Sequence, residues 1–255
     1  MRNSCLSNKF LKGIFFLYFF MGVIPNSHAQ NVFKVTYSVT DVKIQGSLDN
    51  LDNNSKQLFE KMADYTKDVN YILIANQEES YFEQENALNK ESDSPLEHIL
   101  SRGAQRFTSF NERVYANHNV DSIVFVRNIL NQDFTVKRDY FNFNWVFKKE
   151  TKKILDFNAI KAEGSYYHPV TNEDLKVVAW YIPSIQLQSG PDIFMGLPGL
   201  IAEVDLKGAI VTIKKIETIK NLEIEKINDL KAMNQQEFKD LIKSLNKKFE
   251  NYIDD

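Results

Sequence analysis

Two carboxylates, Glu203 and Asp205, stand two positions apart in a segment whose apolar and polar residues alternate. Alternation with a period of two is typical of a β-strand, in which residues two apart point to the same side. A carboxylate pair can perform acid–base chemistry when burial separates the two pKa values. The alternation places this pair on the polar side of the strand, so we interpret both residues as solvated charges.

Other residue types that could support catalysis or metal binding are dispersed. The histidines after residue 30 are His98, His118 and His168, and no two form a helical i,i+4 pair. A zinc site needs at least three ligands brought together, so we expect these histidines at the surface or in turns. Nucleophile-elbow, phosphate-loop and dinucleotide glycine motifs are not found in the sequence. The sequence predicts no catalytic residue, metal or cofactor. A hydrolase of unknown type therefore ranks third, after the two functions discussed at the end of this section.

The N-terminal 29 residues have the pattern of a secretory signal peptide. An apolar run over 13–24 is too short for a membrane span of about 20 residues. Ser27 and Ala29 supply small residues for cleavage before Gln30. Basic residues precede the run: Arg2, Lys9 and Lys12. We therefore predict a signal peptide over 1–29, a single domain over 30–255 without a transmembrane segment, and a periplasmic or extracellular location.

Cysteine content and charge limit the function further. The only cysteine, Cys5, lies before the apolar run, so the predicted mature chain has no thiol, disulfide or lipid-bearing cysteine. Removal of 1–29 takes away three basic and no acidic residues, which makes the net charge still more negative than −3. A chain of this charge has no basic footprint for nucleic acid.

Most of the remaining chain alternates with a period of two and predicts strands. The predicted strands cover 33–39, 69–75, 80–85, 107–116, 122–129, 134–141, 144–149, 154–162, 175–182, 201–206 and 209–219. A helix with Ser55 as N-cap is predicted before the second strand, from the spacing of Leu58, Met62 and Tyr65.

One hairpin can be predicted in register. If Lys207 and Gly208 form a two-residue loop, Val204 faces Val211 on an apolar face, and Glu203 lies opposite Thr212 on a polar face. One apolar and one polar face is typical of an antiparallel sheet that covers a core.

A final helix is predicted over about 234–252, with Asn234 as N-cap and Glu237 completing a variant of the capping box. Its apolar stripe consists of Phe238, Leu241, Ile242, Leu245 and Phe249. The predicted fold is therefore α+β and strand-dominated: a curved antiparallel sheet, partly closed and half-barrel-like, with a C-terminal amphipathic helix.

A Gly-Leu-Pro-Gly-Leu-Ile segment occupies 196–201. Proline fixes φ and glycine accepts a positive φ, so 197–200 is predicted to form a type II turn with Gly199 at its third position. Apolar residues flank it on both sides, which indicates a turn tucked against a core. The residues of this motif and its approach are Gly190, Pro191, Gly196, Pro198, Gly199, Leu200 and Ile201.

The chain resembles the GLPGLI family of secreted bacterial proteins over a core of about 145–206. That family has no established activity. The resemblance rests on the hexapeptide and on short motifs in the same order upstream: Trp145, Lys152-Lys153-Ile154, Lys161-Ala162, Ala179-Trp180-Tyr181, Ile182-Pro183, and Gly190-Pro191 leading into Phe194. Members often carry a cysteine before the Lys-Ala pair, whereas this chain has Asn158, Ala159 and Ile160 there, so a thiol role cannot apply to it.

Aromatic residues concentrate in the same stretch. They predict either a large aromatic core or an aromatic-lined groove for an apolar or amphipathic ligand. The groove residues we predict are Trp145, Trp180, Tyr181, Phe194, Leu197 and Pro198. We favour a non-enzymatic envelope protein that binds such a ligand. The alternative is a module that docks an outer-membrane receptor or secretion partner through an edge strand or an apolar patch.

Overall fold

The computed structural model describes residues 31–43, 51–85, 100, 103–104, 106–130, 132–168 and 173–253. The predicted signal peptide and His98 lie outside them. The secondary-structure elements of the described residues are β1 (Asn31–Val42), α1 (Asn53–Asp68), β2 (Asn70–Ala75), β3 (Glu79–Gln84), β4 (Arg113–Asn117), β5 (Ser122–Ile129), β6 (Gln132–Asp139), β7 (Val146–Ile154), β8 (Phe157–His168), β9 (Glu173–Ile182), β10 (Leu200–Asp205), β11 (Ala209–Lys220) and α2 (Gln235–Ile253).

The strands form a single antiparallel sheet in the order β6-β5-β4-β3-β2-β1-β11-β10-β9-β8-β7. Each half is a meander, and pairing of β1 with β11 joins the halves at the centre. The two edge strands, β6 and β7, are consecutive in the chain, and residues 140–145 link them. The prediction of a strand-dominated antiparallel sheet followed by a helix is confirmed, and the described strands do not close into a barrel.

One face of the sheet carries the main core. Alternate residues of successive strands, among them Tyr37, Leu73, Phe82 and Val114, are buried on this inner face. The outer face has a smaller cluster in which Val32, Tyr81 and Tyr115 pack against Ile224 of the segment after β11. The division follows from the alternation of side chains along each strand.

The β10–β11 hairpin has the predicted register. Val204 pairs with Val211 and Glu203 with Thr212, and the amide of Leu206 donates to the carbonyl of Ala209. The prediction of a solvated Glu203 is wrong, because only 9% of this residue is exposed. Its neighbours on the outer face cover it.

Several predicted boundaries differ from the observed ones, and two of the differences have a clear physical cause. Helix α1 is capped by Asp52, whose carboxylate accepts from the amides of Asn54 and Ser55, so Ser55 lies inside the helix. The strand predicted over 107–116 begins only at Arg113, and 106–108 are helical. A short apolar run does not distinguish a strand from a helical turn, which explains the second error.

The segment before α2 covers one edge of the sheet. Met233 forms a parallel bridge with Val136 of β6, through bonds to Thr135 and Lys137. The capping box then starts α2 as predicted: the Asn234 amide donates to the Glu237 carboxylate, and the Glu237 amide donates back to the Asn234 side chain. Phe238 and Ile242 of α2 join the main core.

Candidate functional site

The segment over 183–199, which contains the first four residues of the hexapeptide and which we call the hexapeptide segment, packs into the main core. Its backbone is tied to β10, because Leu200 donates to the carbonyl of Ile185 and Ile201 donates to that of Ser189. The buried apolar side chains of the segment are Ile185, Leu187, Ile193, Phe194, Met195 and Leu197. Because these side chains belong to the core, the segment is part of the scaffold rather than a surface loop.

The turn itself differs from the predicted type II turn. The Gly199 amide bonds to the carbonyl of Leu197 at 2.8 Å, a three-residue turn around Pro198. The amide of Leu200, which a type II turn would direct to Leu197, instead starts β10 and bonds to Ile185. Gly199 has φ 153°, and an added Cβ would lie 2.4 Å from the carbonyl oxygen of Ile182. Close approach of two backbones therefore requires glycine here.

Trp145 lies on the inner side of the sheet, in the link between β6 and β7. Its indole N–H donates to the carbonyl of Met195 at 3.1 Å, and its ring stacks on Phe143. It also covers Gly164 of β8, where an added Cβ would lie 2.7 Å from the indole. The link is thus fastened both to the hexapeptide segment and to β8.

Trp180 lies on the outer face. The ammonium of Lys152 lies 4.4 Å from its ring centroid and 2.5 Å from a carboxylate oxygen of Glu203. The hydroxyl of Thr212 also donates to Glu203, at 3.0 Å. This half-buried cluster pairs Glu203 with a cation, so the carboxylate is not available as a catalytic partner for Asp205, which pairs with Lys43.

The six predicted groove residues do not converge on one cavity. The two tryptophans lie on opposite faces of the sheet. Tyr181, Phe194 and Leu197 are buried in the main core, and Pro198 is exposed. Phe143 contacts the rings of both Trp145 and Phe194.

An aromatic-lined cleft of about 260 Å³ opens elsewhere, between β5 and β6 on one side and β8 on the other. The β6–β7 link and the first turns of α2 complete its walls, and we name it the edge cleft. Its lining residues are Phe125, Val136, Arg138, Phe141, Asn142, Tyr166, Tyr167, Gln235, Phe238 and Lys239. Sequence analysis did not identify it, because its walls come from segments distant in the chain.

The aromatic walls of the edge cleft are fixed by edge-to-face contacts. Phe141 and Tyr166 have ring centroids 6.1 Å apart with planes at 87°, and Phe125 and Phe238 are 5.9 Å apart at 84°. Such pairs contribute about 0.5–1.5 kcal/mol beyond their burial. Burial raises the pKa of the Tyr166 phenol, which therefore stays neutral. The aromatic part of the walls is therefore uncharged, and its rings pack edge-to-face.

A second cleft, of about 870 Å³, lies where the hexapeptide segment meets the ends of β1 and β11 and the β7–β8 turn. Phe33 and Phe157 share its lining with Asp156, Lys214 and Lys215. It is wider and its charges are mixed. We therefore regard the edge cleft, with its continuous aromatic walls, as the stronger candidate site.

His118 lies in the β4–β5 turn, in agreement with the prediction of surface or turn histidines, and it is half-buried. Its Nε2 lies 2.8 Å from the Ser189 hydroxyl and its Nδ1 lies 2.5 Å from the Tyr140 hydroxyl. Burial lowers the histidine pKa, while Asp121 acts in the opposite direction. A serine beside a histidine can be a nucleophile and its base, but Ser189 is only 1% exposed and a phenol stands where a carboxylate would orient the ring. The trio therefore ties the β4–β5 turn to the hexapeptide segment.

Asp192 makes a second connection, between the hexapeptide segment and the residues before β4. Its buried carboxylate accepts from the backbone amide of Asn111 at 3.0 Å and from the Asn111 side chain at 2.7 Å. Neither contact is visible in the sequence, because 81 positions separate the partners. His168 lies at the end of β8, and within the described residues no group of three or more His, Cys, Asp or Glu side chains could hold a metal ion.

Comparison with known proteins connects the chain to one family model. Residues 165–203 match the model described as "Protein of unknown function (Porph_ging)". The match falls inside the 145–206 stretch that carries the sequence resemblance, and it covers less than half of the chain. No curated protein matches the chain.

Two similar solved structures are described as PNGF-II in the C2 and P21 space groups. The first is 16% identical with a TM-score of 0.48, and the second is 15% identical with a TM-score of 0.50. Each match covers 83% of this chain but only 32% or 33% of the PNGF-II chain, so this chain spans about a third of its length. At such identity the second match concerns the fold alone. Among the described residues, no helix has both the length and the apolar character needed to cross a membrane.

Proposed function

We propose that the protein is a non-enzymatic, secreted protein of the cell envelope that binds an apolar or amphipathic ligand in the edge cleft. The observation that carries the proposal is the aromatic-lined cleft between the two sides of the sheet. Ligand sites combine apolar and aromatic walls with a few polar groups that orient the ligand. The edge cleft has this composition.

The chain length between the sheet edges supports a curved, half-barrel-like sheet around this site. A flat sheet of eleven strands would separate its edges by about 48 Å. The link over 140–145 can span at most about 25 Å when fully extended. A curved sheet whose edges approach each other satisfies this limit, and the mouths of β-barrels, which are closed sheets, are common ligand sites.

The size of the edge cleft limits the ligand. Ligand pockets usually measure about 300–1,000 Å³, and this cleft is slightly smaller. At about 30 Å³ per water-sized group, it accommodates about nine non-hydrogen atoms. An eight-carbon alkyl chain matches this volume, whereas a four-ring system exceeds it.

The sheet edges favour ligand binding over docking through an edge strand. The residues around Met233 cover β6. Strand β7 has four lysines, and a bulge interrupts its pairing with β8 between Phe147 and Thr151. Lysines and bulges are the features by which natural sheets prevent edge-to-edge pairing. Val146 and Phe147 at the start of β7 are exposed, but as consecutive strand residues they point to opposite faces and do not form one apolar patch.

The test is isothermal titration calorimetry with three eight-carbon probes: octanoate, 1-octanol and octylammonium. Gln235 lines the cleft and its neighbour Gln236 does not, and both are exposed. We expect at least one probe to bind saturably, and Gln235→Phe to weaken that binding about tenfold by filling the mouth. The matched variant Gln236→Phe should bind like the parent protein. The proposal fails if no probe binds, or if the two variants behave alike.

A further inference from the structure

The edge cleft contains two cationic side chains and no carboxylate. Arg138 of β6 and Lys239 of α2 are the only charged residues among its lining residues. The whole chain has more acidic than basic residues, with a net charge of −3. The charge of the cleft is therefore opposite to that of the protein, which points to a specific role rather than to average composition.

Neither cation is neutralised by a carboxylate within the described part of the chain. The guanidinium of Arg138 lies 3.6 Å from the ring centroid of Phe141 and donates to the backbone carbonyl of Asp139. The ammonium of Lys239 lies 5.3 Å from the ring centroid of Tyr167. By contrast Lys137, the neighbour of Arg138, forms an ion pair with Asp229.

The nearest carboxylates in the chain are directed or bound elsewhere. Asp139 follows Arg138 on an extended strand, so its side chain points to the opposite face of the sheet. On α2, Glu237 accepts from the amide of Asn234, and Asp240 accepts from Gln236. Two half-buried cations therefore face the cleft without an ion pair to these neighbours. Burial lowers the pKa of Arg138, and the charge of Asp139 on the next residue acts in the opposite direction.

We propose, on the basis of the function proposed above, that the ligand is an anionic amphiphile with a carboxylate or phosphate head and an aliphatic chain. Arg138 and Lys239 hold the head, and Phe141, Tyr166 and Phe238 line the space for the chain. A planar guanidinium matches the geometry of both head groups, and its stacking on Phe141 fixes its orientation.

The experiment compares head groups on a constant chain. We expect octanoate to bind at least about tenfold more tightly than 1-octanol, and octylammonium to bind most weakly, because charge-assisted hydrogen bonds to the head form only with an anion. If octanol binds as tightly as octanoate, the present inference is overturned while the proposed function stands. If no probe binds, the proposed function itself fails.

Variants locate the head group. Arg138→Gln and Lys239→Gln should each weaken octanoate binding about tenfold and leave octanol binding unchanged, whereas Arg138→Lys should restore most of the preference for the anion. Lys243→Gln, one helical turn beyond Lys239 and exposed, is the matched control and should bind octanoate like the parent protein. Unchanged octanoate binding by both Gln variants would contradict the inference.

A second set of probes separates the sources of the anion. Octyl phosphate represents a phospholipid head and octanoate a fatty acid, and tighter binding of either supports the inference while identifying the source. Acetate and inorganic phosphate test the head alone. If they bind as tightly as the eight-carbon probes, the site is a simple anion site and the amphiphile is excluded.

Discussion

Phe143 stacks on Trp145 with ring centroids 5.0 Å apart and planes at 24°, and the same phenyl ring lies 5.5 Å from Tyr166 of the edge cleft. Phe143 is also 5.3 Å from Phe194. Tyr166 also packs edge-to-face on Phe194 itself, with ring centroids 5.6 Å apart. The wall of the cleft is therefore in direct contact with the hexapeptide segment. Through this contact the most distinctive part of the sequence supports the wall of the candidate site without lining it.

Trp145 should report ligand binding and Trp180 should not. A ligand against Tyr166 changes the packing of Phe143 and hence the surroundings of the stacked indole, whereas Trp180 lies on the outer face beside Lys152. We expect Trp180→Phe to retain a saturable change in tryptophan fluorescence with octanoate. Trp145→Phe should abolish the change while binding persists by calorimetry. The reverse pattern would place the ligand on the outer face.

The strands were predictable because their alternation is local. Each predicted strand overlaps an observed one, and the register of the β10–β11 hairpin follows from its two-residue loop. The capping box of Asn234 and Glu237 was equally visible, since its partners lie three residues apart. Elements whose determinants lie within a few residues are the ones that a sequence specifies directly.

The candidate site was not predictable in the same way. Arg138 and Lys239 are about a hundred positions apart, and only the strand order brings their elements together. One part of the error could have been avoided. Trp180 and Tyr181 are consecutive on a strand and point to opposite faces, so a groove on a single face of the sheet contains at most one of them. Tyr181 is buried in the core and Trp180 faces Lys152.

Gly199→Ala should destabilise the protein more than Gly196→Ala. Both glycines have positive φ, of 153° and 85°, so alanine costs about 1–3 kcal/mol of backbone strain at either position. Only at Gly199 does the added Cβ also meet backbone, 2.4 Å from the oxygen of Ile182, whereas nothing lies within 4 Å at Gly196. We expect a further loss of about 1–3 kcal/mol for Gly199→Ala. Urea unfolding measures the loss of stability of both variants. Equal losses would refute the close approach of the Gly199 and Ile182 backbones.

Asp192 should make stability depend on pH. Burial raises the pKa of its carboxyl above the usual 3.8, although the bonds from Asn111 and the charge of Arg127 act in the opposite direction. A raised folded-state pKa contributes stability that is complete below the unfolded value and is lost as pH rises through the folded value. Asparagine does not titrate. The stability of Asp192→Asn relative to the parent protein should therefore increase as the pH rises from 4 to 8.

Urea midpoints of the two proteins at both pH values measure this gain. Asp192→Ala is the control, because it also removes the acceptor for Asn111. It should be less stable than Asp192→Asn by about 1–3 kcal/mol at either pH. A difference between parent and Asp192→Asn that is the same at pH 4 and pH 8 would show that the carboxyl does not titrate differently on folding.

Helix α2 should be an integral part of the fold. Phe238 and Ile242 are buried against the inner face, and Phe238 packs edge-to-face on Phe125. Deletion of residues 234–255 would expose that surface and remove one wall of the edge cleft. The product should therefore aggregate or bind a hydrophobic dye, lose its near-ultraviolet circular dichroism and fail to bind octanoate. Ile242→Ala should lower the free energy of unfolding by about 2–5 kcal/mol. Lys243→Ala, at the exposed neighbouring position, should lower it by less than about 0.5 kcal/mol. A truncated monomer with an unchanged near-ultraviolet spectrum would instead make α2 an appendage, and the inner face would then have to be covered by another part of the chain.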